Sequence, residues 1–173
     1  MASIILRIVL MAHLIPSLLG QLNLAAPSPN ALAACHDIAT QVETDTWSLV
    51  SLNSDYTTAK SHYWSSANAD ATPACAIFPK SAEDVSAIVA TLFHYPTVNF
   101  AVKSGGHNAN VGFSSVDGGV LISFSKFNKT ILSTDKKTAD LRPGARWQEA
   151  IAALEPYGVA VVGGRVGKKH SLA

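Results

Sequence analysis

The chain has 173 residues, 48% hydrophobic and 14% charged, with 13 Lys+Arg against 12 Asp+Glu for a net charge of +1. Charge this balanced excludes a nucleic-acid binder that works through a basic surface, and the apolar fraction excludes an unstructured chain. Two cysteines are too few for a disulfide-dense miniprotein or a four-thiolate zinc site, and the length suits about one domain.

Residues 1–26 read as a secretory signal peptide. Arg7 gives a positive start, an apolar run from Ile8 to Leu19 follows, and small residues close it at Gly20, Ala25 and Ala26. The run is short and carries Pro16, whereas a membrane span needs about 20 apolar residues. The expectation is a secreted protein with no membrane attachment after cleavage. Residues 27–34, rich in Pro, Ala, Ser and Asn, read as a flexible lead-in, residues 36–50 as a helix and the polar stretch 51–74 as irregular. Lead-in and irregular segment together make residues 27–72 an amino-terminal unit ahead of a domain over 73–173. In an oxidising compartment the pair Cys35 and Cys75 reads as one disulfide, the alternative being two separate buried thiols. Asn128-Lys129-Thr130 is a glycosylation sequon.

Patterning sharpens from Cys75 onward. Ala76-Ile77-Phe78, stopped by Pro79, reads as a strand. Ser81 caps a helix with Asp84 placed for a capping box, and Val85, Ile88, Val89 and Leu92 give one apolar face before Pro96. Phe100-Ala101-Val102 is a second strand, Val120 to Phe124 a third and Ala139 to Leu141 a fourth. Pro143-Gly144 turns the chain into a helix carrying Trp147, Ala150, Ile151 and Leu154. Gly158 ends that helix and Val159 to Val162 reads as a last strand. The order implies an α+β domain, a mixed sheet packed with helices.

The turn Lys103-Ser104-Gly105-Gly106-His107-Asn108 is where chemistry concentrates. Two glycines at the end of a strand let backbone amides approach an anion, and Ser104 and Asn108 can add side-chain hydrogen bonds. His107 suits a ligand, a base or a covalent attachment point, although on spacing alone a loop histidine is more often simply solvated. Nothing matches a G-x-G-x-x-G loop, a P-loop, a H-E-x-x-H helix or a G-x-S-x-G elbow, and no metal site is expected. The tail Lys168-Lys169-His170 is too short for a nucleic-acid patch.

Residues 73 to 167 resemble the PCMH-type FAD-binding domain of secreted fungal FAD-linked oxidoreductases, the berberine-bridge-enzyme-like branch of the vanillyl-alcohol-oxidase superfamily. The resemblance rests on six pieces in order: Phe78-Pro79-Lys80-Ser81-Ala82-Glu83-Asp84-Val85; Ala101 to Asn108; Gly112-Phe113-Ser114-Ser115; Asp117 to Ile122; Pro143-Gly144-Ala145-Arg146-Trp147; and Val162-Gly163-Gly164-Arg165-Val166-Gly167. It implies FAD as cofactor, a covalent bond from His107 to the flavin 8α-methyl, and a binding set of Lys103, Ser104, Gly105, Gly106, His107, Asn108, Gly112, Ser114, Gly163, Gly164 and Val166. It also implies hydride transfer from a small-molecule substrate to the flavin, with O2 as electron acceptor. Some members add a second flavin bond from a cysteine in the later glycine run; Val166 and its neighbours include none. The pair Cys35–Cys75 is similar to the disulfide of secreted members. Arg142 stands where the pattern has a small residue. The family continues beyond this glycine run into the rest of the FAD domain and a substrate domain, so the resemblance implies the amino-terminal part of such an enzyme, with the catalytic base in the part not present. The alternative expectation is a truncated secreted fragment without activity.

Overall fold

Three short segments, Cys75–Phe78, Phe100–Lys103 and Val120–Ser123, are apolar or β-branched along most of their length, and each becomes a strand. The structure, a computed structural model, describes residues 27–43, 45–48 and 53–164. The expected signal peptide and Val166 lie outside the described residues. The main sheet holds β1 (Asp45–Ser48), β2 (Cys75–Phe78), β3 (Phe100–Lys103) and β4 (Val120–Ser123) in the order β1-β2-β4-β3. β1 is antiparallel to β2, while β2 and β3 both run parallel to β4, with Ile77 opposite Ile122 and Ala101 opposite Leu121. β2 and β4 are buried along their whole length, as strands covered on both faces must be.

Helices α1 (Pro29–Gln41) and α4 (Ala82–Leu92) cover one face of the sheet. Ala31, Ala34 and Ile38 pack with Ile77, Ile88, Leu92, Val120 and Ile122 there. The other face carries α2 (Ser54–Ser61), whose Tyr56 and Ala59 meet Ala76, Phe78, Ala101 and Leu121. α3 (Ser66–Ala69) follows α2. A separate hairpin pairs β5 (Thr130–Leu132) with β6 (Ala139–Leu141), and α5 (Trp147–Leu154) comes after it. This is the α+β mixed sheet expected.

α4 begins as predicted: Ser81 Oγ accepts from the Asp84 N–H at 3.1 Å, and the Asp84 carboxylate accepts from the Ser81 N–H at 3.2 Å. Elsewhere tertiary packing overrides composition. The expected lead-in is the start of α1: Ser28 Oγ accepts from the Ala31 N–H, Pro29 sits where its missing N–H costs nothing, and Ala31, Ala34, Cys35 and Ile38 form a buried face. The helix expected over 36–50 stops at Gln41, and Asp45–Ser48 pairs with β2 instead. The segment expected to be irregular holds α2, capped by Asn53, and α3. The strand expected over 159–162 is not formed; these residues have no ladder partner among the described residues. β5 was not expected, and it exists through its pairing with β6. A disulfide joins Cys35 of α1 to Cys75 of β2, closing a span of 40 residues. Constraining the unfolded chain in this way stabilises by about 3–4 kcal/mol.

Candidate cofactor site

β3 and β4 are parallel, and ligands of such sheets gather beyond the carboxyl ends of the strands. The glycine turn leaves β3 at that end. In the alternating burial of β3, Ala101 and Lys103 point inward. Lys103 is only 4% exposed. Its ammonium donates to the Ala59 carbonyl in the last turn of α2 and lies 3.7 Å from the centre of the Tyr63 ring. Burial, and after it the charge of Arg146, push the Lys103 pKa down to about 7. The Tyr63 hydroxyl is pushed up by its own burial.

Gly106 takes the left-handed region with φ +72°. A side chain there would meet the His62 carbonyl at 2.8 Å and Lys103 Cε at 2.9 Å, so both conformation and space demand glycine. The turn is clamped from the far side by residues 63–68. The Trp64 N–H donates to the Gly106 carbonyl at 2.9 Å and the Tyr63 hydroxyl to the Ser114 carbonyl at 2.7 Å. Asn68, fully buried, donates through Nδ2 to the Asn108 carbonyl at 3.0 Å and accepts from Ser115 Oγ at 2.6 Å. Ser115 Oγ in turn accepts from the Gly112 N–H at 3.2 Å. Tyr63, Asn68 and Ser115 are the residues sequence reasoning missed. The bonds that join residues 63–68 to residues 108–115 span 40 to 51 positions, so no local spacing points to them.

The predicted binding residues divide into those turned inward and those left open. Lys103 is occupied by Ala59. Ser104 Oγ donates to the Pro143 carbonyl, tying the base of the turn to residues 143–147. Asn108 Oδ1 accepts from the Asn110 N–H at 2.9 Å. Against these, the amides of Gly105 and Gly106 donate to no group among the described residues. Ser114 Oγ, in a residue 8% exposed, is buried with no hydrogen-bond partner among the described residues. His107 is exposed at the rim, its ring 5.9 Å from that of Trp64. Gly163 and Gly164 lie against the indole of Trp147. A small cavity of about 70 Å³ sits beside the turn, lined in part by Asp55, His62, Lys103, Ser104 and Arg146. A larger one of about 580 Å³ lies apart from it, bounded by the β5 region and the end of α5.

The arrangement can hold an anion. Two successive amides without an acceptor among the described residues, one of them on a glycine in the left-handed region, are the donors that an anion-binding nest uses, and an orphaned buried hydroxyl is a group that a ligand oxygen would satisfy. A nucleotide diphosphate fits this donor set. Among the described residues no cluster of three His, Cys, Asp or Glu is placed to hold a metal ion, and no helix is long and apolar enough to cross a membrane.

Comparison with known proteins gives the same chemistry. An uncharacterized FAD-linked oxidoreductase of Arthroderma benhamiae is 44% identical over 66% of this chain and 23% of its own length. The FAD-dependent monooxygenase macF of Penicillium terrestre is 34% identical over 85% of this chain and 29% of its own. Among solved structures, a chitooligosaccharide oxidase superposes with a TM-score of 0.56 and 26% identity, covering 72% of this chain and 26% of that one. The glucooligosaccharide oxidase of Acremonium strictum shares the fold at a TM-score of 0.57 and 22% identity, over 75% and 26%. The chain thus spans about a quarter of the length of these relatives. Residues 73–165 match the family described as FAD binding domain, and this chain belongs to that family of FAD-binding proteins.

Proposed function

We propose that this chain is the FAD-holding amino-terminal part of an FAD-dependent oxidoreductase in which His107 tethers the flavin covalently. The observation that carries the reading is the turn 104–107: free Gly105 and Gly106 amides at the carboxyl end of β3, with an imidazole exposed one residue further on. The A. strictum enzyme, which shares this fold, is described with a 6-S-cysteinyl, 8α-N1-histidyl FAD. Only the histidyl bond carries over to this chain, because its two cysteines are joined to each other.

In this reading Gly105, Gly106 and Ser114 receive the diphosphate, with Gly112 and Asn108 shaping the loop around it and Gly163 and Gly164 as the second glycine segment of the site; Val166 belongs to the same binding set and lies outside the described residues. Trp64 and the braced Gly106 fix the direction in which the imidazole leaves the turn. Lys103 and Ser104 act from beneath, holding the base of the turn to α2 and to residues 143–147. FAD held there would supply the two-electron redox chemistry for oxidation of a small-molecule substrate by hydride transfer, with O2 as electron acceptor. The tether keeps a cofactor that a dilute medium would otherwise strip away. Secretion belongs to the same proposal. The disulfide suits an oxidising compartment, and Asn128 is exposed between the Phe124–Lys126 turn and β5, where a glycan can be accommodated.

Acid precipitation of purified protein tests the reading. Yellow colour retained in the washed pellet, and lost from it in His107→Ala, is the expected result. Flavin that washes out of the parent protein contradicts the tether.

A further inference from the structure

We propose that Trp147 is a positioning residue for the flavin site: its indole is the platform that holds the second glycine segment, Gly163-Gly164, at a fixed distance from the first. The inference rests on the FAD reading above and adds to it a residue outside the predicted binding set. A Cβ on Gly163 would fall 2.1 Å from Trp147 Cε3 and 2.4 Å from Cδ2, and one on Gly164 would fall 2.7 Å from Nε1. The backbone of both residues therefore rests directly on the ring, from its six-membered part to its pyrrole edge. Real side chains do not approach rings this closely, so the indole and two adjacent glycines specify each other.

The same short turn also reaches the first glycine segment. Four residues before Trp147, the Pro143 carbonyl accepts the Ser104 hydroxyl at the base of the 104–107 turn. Arg146, adjacent to Trp147, lines the small cavity together with Lys103 and Ser104. Residues 143–147 thus hold one glycine segment by a hydrogen bond and the other by ring packing. Trp147 opens α5, whose first turn is stiffened by the Glu149 carboxylate accepting from the Arg146 N–H at 3.1 Å. A rigid base of this kind removes the ordering cost that two floppy glycine loops would otherwise bring to diphosphate binding.

Two measurements test the inference. In NMR spectra of the chain, the α-protons of Gly163 and Gly164 should be shifted upfield by the indole ring current, and Trp147→Leu should return them to ordinary values. In a His107→Ala background, where retention is non-covalent, equilibrium dialysis should show FAD binding weakened at least about tenfold by Trp147→Leu, with Trp147→Phe, which keeps an aromatic face, recovering most of it. Ordinary glycine shifts in the parent chain overturn the platform. Undiminished FAD binding by Trp147→Leu overturns its role in the site, as does equal loss in the Phe and Leu variants. Absence of FAD binding in both parent and His107→Ala backgrounds instead overturns the flavin reading itself, and the ring-current shifts then still decide whether the indole holds the segment.

Discussion

Lys103 is a buried cation with no carboxylate partner among the described residues, and this has a thermodynamic consequence. Its folded pKa is about 7 against an ordinary 10.5. Between those values the unfolded chain holds a proton that the folded chain has lost, so stability rises with pH across that window, and the full deficit is present below about pH 7. Thermal midpoints measured from pH 6 to 9.5 should therefore climb in the parent protein, and Lys103→Met should flatten the climb. An identical slope in both would show that another group controls it. Two uncharged sites in the same turn have simpler expectations. Gly106→Ala forces a side chain into the left-handed region against the His62 carbonyl, and denaturant unfolding should show a loss of about 1–3 kcal/mol. Asn68→Ala leaves the Asn108 carbonyl without its Asn68 donor and Ser115 Oγ without its acceptor; unfolding should again register about 1–3 kcal/mol, together with faster amide exchange across residues 108–115.

At the scale of elements, what was legible in the sequence was what local chemistry decides. Ser81 and Asp84 announce α4 because a capping box needs only four consecutive residues. β2 and β4 are legible because strands covered on both faces are short and apolar, and β3, at the sheet edge, because Phe100-Ala101-Val102 is a short run with β-branched and aromatic residues. The first half of α1 is not legible, because Pro29 and its small neighbours have the composition of a linker, and only the burial of Ala31 and Ala34 against the sheet makes them a helix. β5 is only three residues, Thr130-Ile131-Leu132, part-exposed and too short for a period to show, and it becomes a strand through β6. The glycine turn was visible; the 63–68 segment that clamps it was not, since those contacts depend on the fold being complete. The disulfide acts at this scale too. Cys35→Ser should lower unfolding free energy by about 3–4 kcal/mol, read from denaturant midpoints, and a change under 1 kcal/mol would mean that α1 packing alone holds the amino-terminal helix to the sheet.

For the whole molecule, the two faces of the sheet have separate work. α1 and α4 supply most of the apolar core, while α2 and the segment after it shape the turn that leaves β3. The cofactor turn is thus tied to the core at two points, through Lys103 beneath it and Tyr63, Trp64 and Asn68 beside it, while His107 at its end is exposed. Such an arrangement presets the geometry before any ligand arrives, which is what a site needs to grip a diphosphate without first being ordered. The most direct measurement of this account is mass spectrometry of the tryptic peptide spanning residues 104–126 from acid-denatured protein. The account predicts that this peptide carries the mass of a flavin nucleotide, with fragmentation placing it on His107. An unmodified peptide from protein that was yellow before denaturation would contradict it.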